Sequence, residues 1–196
     1  VNFFEDPTIA AAGTNQTICG ATSTLLTGNA PIVGTGIWSV VVGDGNGSFT
    51  DTTSPTSGFA GTAGFVYTLR WTISNGPVCS PSTDDVVVDF AINPAPVISG
   101  DSEVCENEVG LVYSTPNVIG NTYNWAITGG VITGGAGSNS ITVTWGSAGI
   151  GTLQVTETVT STGCAITTGL FNVTINAIPN FTNLPAAASI CSGDQL

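Results

Sequence analysis

The segment FVYTLRWTI, residues 65–73, carries a large apolar side chain at every second position: Phe65, Tyr67, Leu69, Trp71 and Ile73. Successive side chains of a β-strand point to opposite faces of a sheet, so this spacing predicts a strand with one face in a core. The same period recurs at residues 86–92, 123–127, 141–145 and 171–175. The chain is therefore predicted to be built from strands.

Turn sequences separate these segments. They are Asp-Gly-Asn-Gly at residues 44–47, Asn-Gly at 75–76, and Gly-Gly at 129–130 and 134–135. Such pairs favour tight turns, and no segment combines helical periodicity with helix caps. About seven short strands in some 86 residues are typical of an immunoglobulin-like sandwich. We predict an all-β fold of this kind.

The sequence repeats itself. Cys19, Cys105 and Cys191 are spaced by 86 residues, Cys79 and Cys164 by 85, and two tryptophans (Trp38 and Trp125) by 87. The segment TLRWTISNGPVC, residues 68–79, aligns with TLQVTETVTSTGC, residues 152–164. A fixed period of this length is the sequence signature of tandem domains.

Proline-rich joints set the predicted boundaries. Pro94 and Pro96 precede Cys105, and Pro179 precedes Cys191. We predict one repeat at residues 1–92, a second at 93–178, and the start of a truncated third at 179–196. Short joints rich in proline are semi-rigid, so the repeats are expected to lie end to end as a rod.

Each complete repeat holds two cysteines. Pairing within the repeat, Cys19 with Cys79 and Cys105 with Cys164, is the economical prediction, with free buried thiols as the alternative. Cys191 is then unpaired within this chain. Disulfides of this kind belong to an oxidising, extracellular compartment.

Composition excludes several functions. The net charge is −12, Arg70 is the one basic residue, and there is no His. Without Lys and with a single Arg the chain cannot neutralise nucleic-acid phosphates, so nucleic-acid binding is excluded. Without His it lacks the commonest general base, so we predict a non-enzyme. No apolar run is long enough for membrane insertion and no signal peptide is recognisable. The absence of Met leads us to expect part of a longer protein.

Acidic clusters offer weak candidate calcium sites. Carboxylate and amide oxygens suit calcium. The first cluster lacks the closing Glu and the spacing of an EF-hand, so a hairpin turn is the preferred interpretation, and at the second, where a cation could bridge the repeats, a solvated acidic face is preferred. The candidates are Asp44, Asn46 and Asp51 in one loop, and Asp101, Glu103, Glu106 and Glu108 at the start of the second repeat. We predict no cofactor.

Two further features need a choice between a structural and a functional role. The four tryptophans, Trp38, Trp71, Trp125 and Trp145, lie on apolar sides of strands, which favours a core over a sugar-stacking surface. Glu157 falls in register with Leu153 and Val155. We expect a bulge or strand end to expose it, with a buried functional carboxylate as the alternative.

The second repeat contains the motifs VYS at residues 112–114, YNW at 123–125, VTWG at 143–146 and GTL at 151–153. With these motifs it resembles the PKD-like, immunoglobulin-type repeats of Bacteroidetes surface proteins. The first repeat contains LTGNAP at residues 26–31 and GTGIWSV at 34–40, and it is similar to repeats of giant SprB-like gliding-motility adhesins. The resemblance implies type IX secretion, contact with the gliding machinery and display on the bacterial cell surface. It brings no catalytic residues.

We therefore expect a structural stalk segment of a long secreted adhesin filament that serves surface attachment and gliding motility. Its partners would be neighbouring repeats and a surface polysaccharide or other substratum. The alternative is a carbohydrate- or protein-binding accessory module of a secreted multidomain protein, such as a glycanase.

Overall fold

The computed structural model describes residues 5–179. Regular structure in this range is β-strand, and none of these residues forms a helix long and apolar enough to cross a membrane. The strands of the first repeat are β1 Gln16–Cys19, β2 Ser23–Leu25, β3 Thr35–Val42, β4 Ser48–Phe49, β5 Gly58–Ala60, β6 Val66–Ser74 and β7 Ser82–Ala91. The strands of the second repeat are β8 Glu103–Cys105, β9 Leu111–Ser114, β10 Asn121–Thr128, β11 Gly130–Gly134, β12 Ser140–Trp145, β13 Gly149–Val159, β14 Ala165–Thr167 and β15 Phe171–Asn176.

Both repeats have the same sheet topology. In the first, one sheet has the order β1-β7-β6-β3 and the other β2-β5-β4. In the second, the orders are β8-β15-β13-β10 and β9-β12-β11, with β14 added beside β13. Two sheets that enclose one core make an immunoglobulin-like sandwich, so the predicted fold class is confirmed.

The first and last strands of each repeat pair in parallel. Strand β1 runs beside β7 with Cys19 opposite Ala91, and β8 runs beside β15 with Cys105 opposite Asn176. The last strands also pair antiparallel with the strands before them, β7 with β6 and β15 with β13. The first cysteine of each repeat therefore lies where its last strand ends.

Alternation along β6 builds the core of the first repeat. Tyr67, Leu69, Trp71 and Ile73 are fully buried, and the rings of Trp71 and Trp38 lie 5.0 Å apart. The predicted burial of Phe65 and Ile92, at the ends of two alternating segments, is wrong. Phe65 and Ile92 are exposed because β6 begins at Val66 and β7 ends at Ala91, so neither residue lies within its strand.

The core of the second repeat centres on Trp145. Its indole N–H donates to the Tyr113 hydroxyl at 3.0 Å, and that hydroxyl donates to the Asp101 carbonyl at 2.8 Å. A buried indole stays inside a core only when its N–H has such a partner. All four tryptophans are at most 7% exposed, which confirms their predicted place in the cores.

The described residues divide into two compact units that differ slightly from the sequence repeats. The first unit contains residues 5–95 together with Val118–Thr122 and Glu157–Ile166. The second contains Pro96–Asn117, Tyr123–Thr156 and residues 167–179. Two short segments of the second sequence repeat thus belong to the first unit.

Close packing against Trp145 generates a stability prediction. A Cβ added at Gly151 would overlap the indole ring and lie 3.0 Å from the Thr128 carbonyl oxygen, whereas one at Gly137 would meet no atom within 4 Å. Overpacking of this kind costs about 1–3 kcal/mol. We expect Gly151→Ala to lower the urea midpoint of unfolding, followed by tryptophan fluorescence, and Gly137→Ala to leave it unchanged. Equal midpoints for the two variants would contradict this packing.

Candidate functional site

One disulfide is present among the described residues, and it joins Cys19 to Cys164. Their Cα atoms are 5.5 Å apart, inside the range that a disulfide requires, and the bond spans 145 residues of sequence. Cys19 belongs to the first sequence repeat and Cys164 to the second. Both lie in the first compact unit, because that unit includes Glu157–Ile166.

Strand pairing fixes the place of Cys19. It is the last residue of β1 and lies opposite Ala91, the last residue of β7. The next backbone N–H, that of Gly20, donates to the Ala91 carbonyl at 2.9 Å and closes the ladder. Cys19 is thereby held at the edge strand of its sheet, where its side chain can reach a partner.

A tight turn fixes the place of Cys164. The turn follows β13, and its Gly163 adopts a left-handed backbone conformation (φ 75°) that suits glycine. The Val159 N–H donates to the Cys164 carbonyl at 2.9 Å, and the Gly163 N–H donates to the Val159 carbonyl at 2.8 Å. Cys164 is buried, and its bonded partner Cys19 is exposed.

The predicted pair Cys19–Cys79 is wrong, and the parallel pairing of β1 with β7 explains why. Cys79 precedes β7, which begins at Ser82, while Cys19 lies beside its far end. The ten residues of β7 span about 30 Å, several times the Cα separation of a disulfide. The two cysteines lie at opposite ends of one sheet.

The predicted pair Cys105–Cys164 is wrong for the same reason. Cys105 lies opposite Asn176 at the end of β15, beside the beginning of β13, where Gly149 pairs with Ile175. Cys164 follows the other end of β13, whose eleven residues span about 35 Å. Neither repeat can close a bridge on itself.

Two described cysteines are free. Cys79 is half-buried, and its thiol donates to the Glu5 carbonyl at 3.4 Å. Cys105 is exposed at the end of β8. Cys191, predicted to be unpaired, lies outside the described residues.

The first acidic candidate, Asp44, is held by hydrogen bonds from its own loop and from Tyr67 of β6. Its carboxylate accepts hydrogen bonds from the Tyr67 hydroxyl at 2.5 Å and from the Asn46 backbone N–H at 3.0 Å. Hydrogen bonds from the side chains of Thr62 and Tyr67 hold the pKa of Asp44 far below its ordinary value. The expectation that Asp51 shares this loop is wrong, because β4 lies between the two acids, and Asp51 accepts from the Thr53 N–H in the next turn.

The second acidic cluster is divided among separate backbone partners. Glu108 accepts from the Cys105 N–H at 2.8 Å, and Glu106 accepts from the Ile178 N–H at 3.1 Å and the Ala148 N–H at 3.4 Å. Asp101 and Glu103 are exposed. Within residues 5–179 no three acidic or cysteine side chains converge in a way that could hold a metal ion.

The prediction for Glu157 is wrong. It is 2% exposed inside β13, and its carboxylate accepts a hydrogen bond from the Asn121 side-chain amide at 2.6 Å. Burial of a carboxylate requires such a partner. The partner lies 36 residues earlier in the chain, so local sequence carried no signal of it.

Comparison with known proteins supports the domain type. Residues 91–173, less than half of the chain, match the sequence model of the PKD-like domain family, so the second repeat contains a PKD/immunoglobulin-like domain. This agrees with the resemblance of that repeat. No match was found among curated proteins.

The chain is similar, at low sequence identity, to three solved structures. Sidekick-1 immunoglobulin domains 1–4 match with 14% identity and a TM-score of 0.48, over 88% of this chain and 49% of that one. The fibronectin(III)-like modules of Clostridium thermocellum CbhA match with 12% identity and a TM-score of 0.45, over 86% and 95%. Protocadherin gammaB7 EC3-6 matches with 9% identity and a TM-score of 0.40, over 87% and 47%. The chain spans about half the length of the Sidekick-1 and protocadherin chains.

The disulfide generates a stability prediction with a matched control. Cys19 and Cys105 occupy equivalent strand ends, but only Cys19 is bonded. In the chain-entropy model a loop of 145 residues stabilises the folded state by up to about 5 kcal/mol, and measured values are commonly about 2–4 kcal/mol. We expect Cys19→Ser to lower the urea midpoint accordingly and Cys105→Ser to leave it in place. Equal urea midpoints for Cys19→Ser and Cys105→Ser would show that this interpretation of the disulfide is wrong.

The Asp44 loop generates a pH prediction. Because the pKa of Asp44 is depressed by folding, its contribution is complete above the unfolded pKa, near 3.8, and is lost as the pH falls toward the folded pKa. We expect the wild type to lose stability between about pH 5 and pH 2. Asp44→Asn, and more weakly Tyr67→Phe, should flatten that loss in acid denaturation. An unchanged pH profile in Asp44→Asn would refute the role of this carboxylate.

Proposed function

We propose that this chain is a load-bearing segment of an extracellular stalk built from tandem immunoglobulin-like repeats. The observation that carries the proposal is the Cys19–Cys164 bridge, which bonds a cysteine of one sequence repeat to a cysteine of the next. A stable disulfide belongs to an oxidising compartment, in keeping with an extracellular protein. The role has no catalytic step.

The bridge changes the path of mechanical force. Tension applied to the two ends of the chain reaches Cys19 and Cys164 and passes through the covalent bond between them. Residues 20–163 form a closed loop outside this path, so tension cannot draw them out while the bond holds. Both sandwiches lie largely within that loop, and tension therefore cannot extend them fully.

Surface chemistry suits such a stalk. The net charge of −12 with one basic residue gives neighbouring chains the same sign of charge, which opposes their association. The single ion pair among the described residues, Arg70 with Asp85 at 2.7 Å, leaves the remaining acids as unbalanced negative charge. Solubility at high local density follows from this repulsion.

A carbohydrate-binding module is the weaker candidate. Sugar-binding surfaces commonly stack aromatic rings on the ligand, and all four tryptophans are buried. A depression on β2, β4 and β5 is lined by two aromatic residues, Phe49 and Phe59. Phe59 is buried, and the half-buried Phe49 packs against the rings of Trp38 and Phe59 in the core.

The resemblance to SprB-like adhesins extends the proposal to a particular setting. We propose a filament on the surface of a gliding bacterium, exported by type IX secretion, that attaches to a polysaccharide or other substratum. Antibodies against this chain should label intact producing cells, and deletion of the type IX secretion machinery should abolish that label. Labelling only after lysis would contradict this setting but would leave the mechanical proposal open to its own test.

Single-molecule stretching tests the mechanical proposal. With Cys19–Cys164 intact, only residues 1–19 and 164–196 can extend, which gives a contour length of at most about 190 Å. After reduction, or in Cys19→Ser, the full chain should extend to about 700 Å. Cys105→Ser should behave as the wild type. An oxidised wild-type chain that extends by several hundred ångströms would refute the proposal.

A further inference from the structure

Each free cysteine lies one repeat length away from one of the two bonded cysteines. Cys105 follows Cys19 by 86 residues, and Cys79 precedes Cys164 by 85. The bonded pair consists of the first cysteine of one repeat and the second cysteine of the next. The free pair consists of the same two kinds of cysteine, a first cysteine (Cys105) and a second cysteine (Cys79).

Cys105 is the structural equivalent of Cys19. Each is the last residue of a first strand that runs parallel to the last strand of its repeat, with Cys19 opposite Ala91 and Cys105 opposite Asn176. In each case the following N–H donates to the carbonyl of that opposite residue, at 2.9 Å from Gly20 and 2.8 Å from Glu106. Both cysteines are exposed, so Cys105 is presented as Cys19 is.

Cys79 is the structural equivalent of Cys164. Each lies in the turn that follows the long strand paired with the last strand, β6 in one repeat and β13 in the other. Each turn contains a glycine in the left-handed region, Gly76 (φ 72°) and Gly163 (φ 75°). The Cys79 thiol makes only a weak hydrogen bond, to the Glu5 carbonyl, and remains available for oxidation.

From these equivalences we infer that Cys105 and Cys79 each form a disulfide of the same kind as Cys19–Cys164, with a cysteine of another repeat. Cys105 bonds to the second cysteine of a following repeat, and Cys79 bonds to the first cysteine of a preceding one. The partner is another domain of this kind that carries a thiol at the complementary position. For a preparation of this chain alone, that partner is a second copy, with Cys105 of one molecule bonded to Cys79 of the other.

The inference rests on the proposed function in so far as the stalk supplies neighbouring repeats. The inference adds that a disulfide links each repeat of the stalk to the next. Tension would then bypass the loop between each pair of bonded cysteines. If Cys105 and Cys79 form no such disulfides, the force path through Cys19–Cys164 is unaffected. The two proposals therefore fail separately.

Oxidised glutathione can supply the oxidising equivalents. The Cys105 thiolate attacks the glutathione disulfide, forms a mixed disulfide and releases one glutathione thiolate. The Cys79 thiolate of a second molecule then attacks the Cys105 sulfur and releases the second glutathione. Two protein thiols are oxidised, one glutathione disulfide is reduced to two thiols, and the two cysteine protons pass to the solvent or the released thiolates.

The test uses two variants of the 196-residue chain, each of which keeps one of these two thiols. Cys79→Ser with Cys191→Ser leaves Cys105 as the free thiol, and Cys105→Ser with Cys191→Ser leaves Cys79. The variants are mixed in equal amounts in a glutathione redox buffer and separated without reductant. Peptide mapping then identifies the bonds and confirms that Cys19–Cys164 has formed in both proteins.

We expect mixed dimers joined through Cys105 and Cys79 to exceed either homodimer by at least about tenfold, against the about twofold excess of random pairing. Mixed dimers at the random ratio would overturn the inference, because exposure alone would then explain the bonding. Absence of linked dimers under conditions that close Cys19–Cys164 would also overturn it. Replacement by Ala instead of Ser should give the same ratios, which controls for the substituted residue.

Discussion

The parallel pairing of the first and last strands of each repeat is the constraint from which the cysteine chemistry follows. It places Cys19 beside Ala91 and Cys105 beside Asn176, at the ends of β7 and β15. The other cysteine of each repeat lies a full strand length away, beyond the reach of a disulfide. Sheet topology therefore forbids a bridge within a repeat and leaves each first cysteine to bond elsewhere.

Features that depend on local pattern could be predicted from the sequence. Period-two alternation along β6 placed Tyr67, Leu69 and Trp71 in a core because burial of a strand face depends only on spacing within that strand. The recurrence of cysteines and tryptophans likewise predicted two similar sandwiches. Their strand orders are the same, since equivalent sequences bury equivalent faces.

Features that depend on distant partners could not be predicted in this way. The partner of Cys19 depends on the direction in which β1 pairs with β7, about 70 residues later, and alternation is the same for parallel and antiparallel neighbours. Glu157 was misplaced because the amide that satisfies it, on Asn121, belongs to another strand. Because each repeat contains two cysteines, a disulfide within each repeat was the simplest prediction, although the sheet topology excludes it.

Disulfide mapping of the oxidised 196-residue chain tests this account most directly. Trypsin is unsuitable because the chain has one basic residue. Cleavage at Asp and Glu separates Cys19, Cys79 and Cys105 and leaves Cys164 and Cys191 together on residues 158–194, where fragmentation of the linked peptide distinguishes them. The account predicts that mass spectrometry of the unreduced digest finds Cys19 linked to Cys164, with no intramolecular bond at Cys79 or Cys105. Peptides that link Cys19 to Cys79, or Cys105 to Cys164, would contradict it.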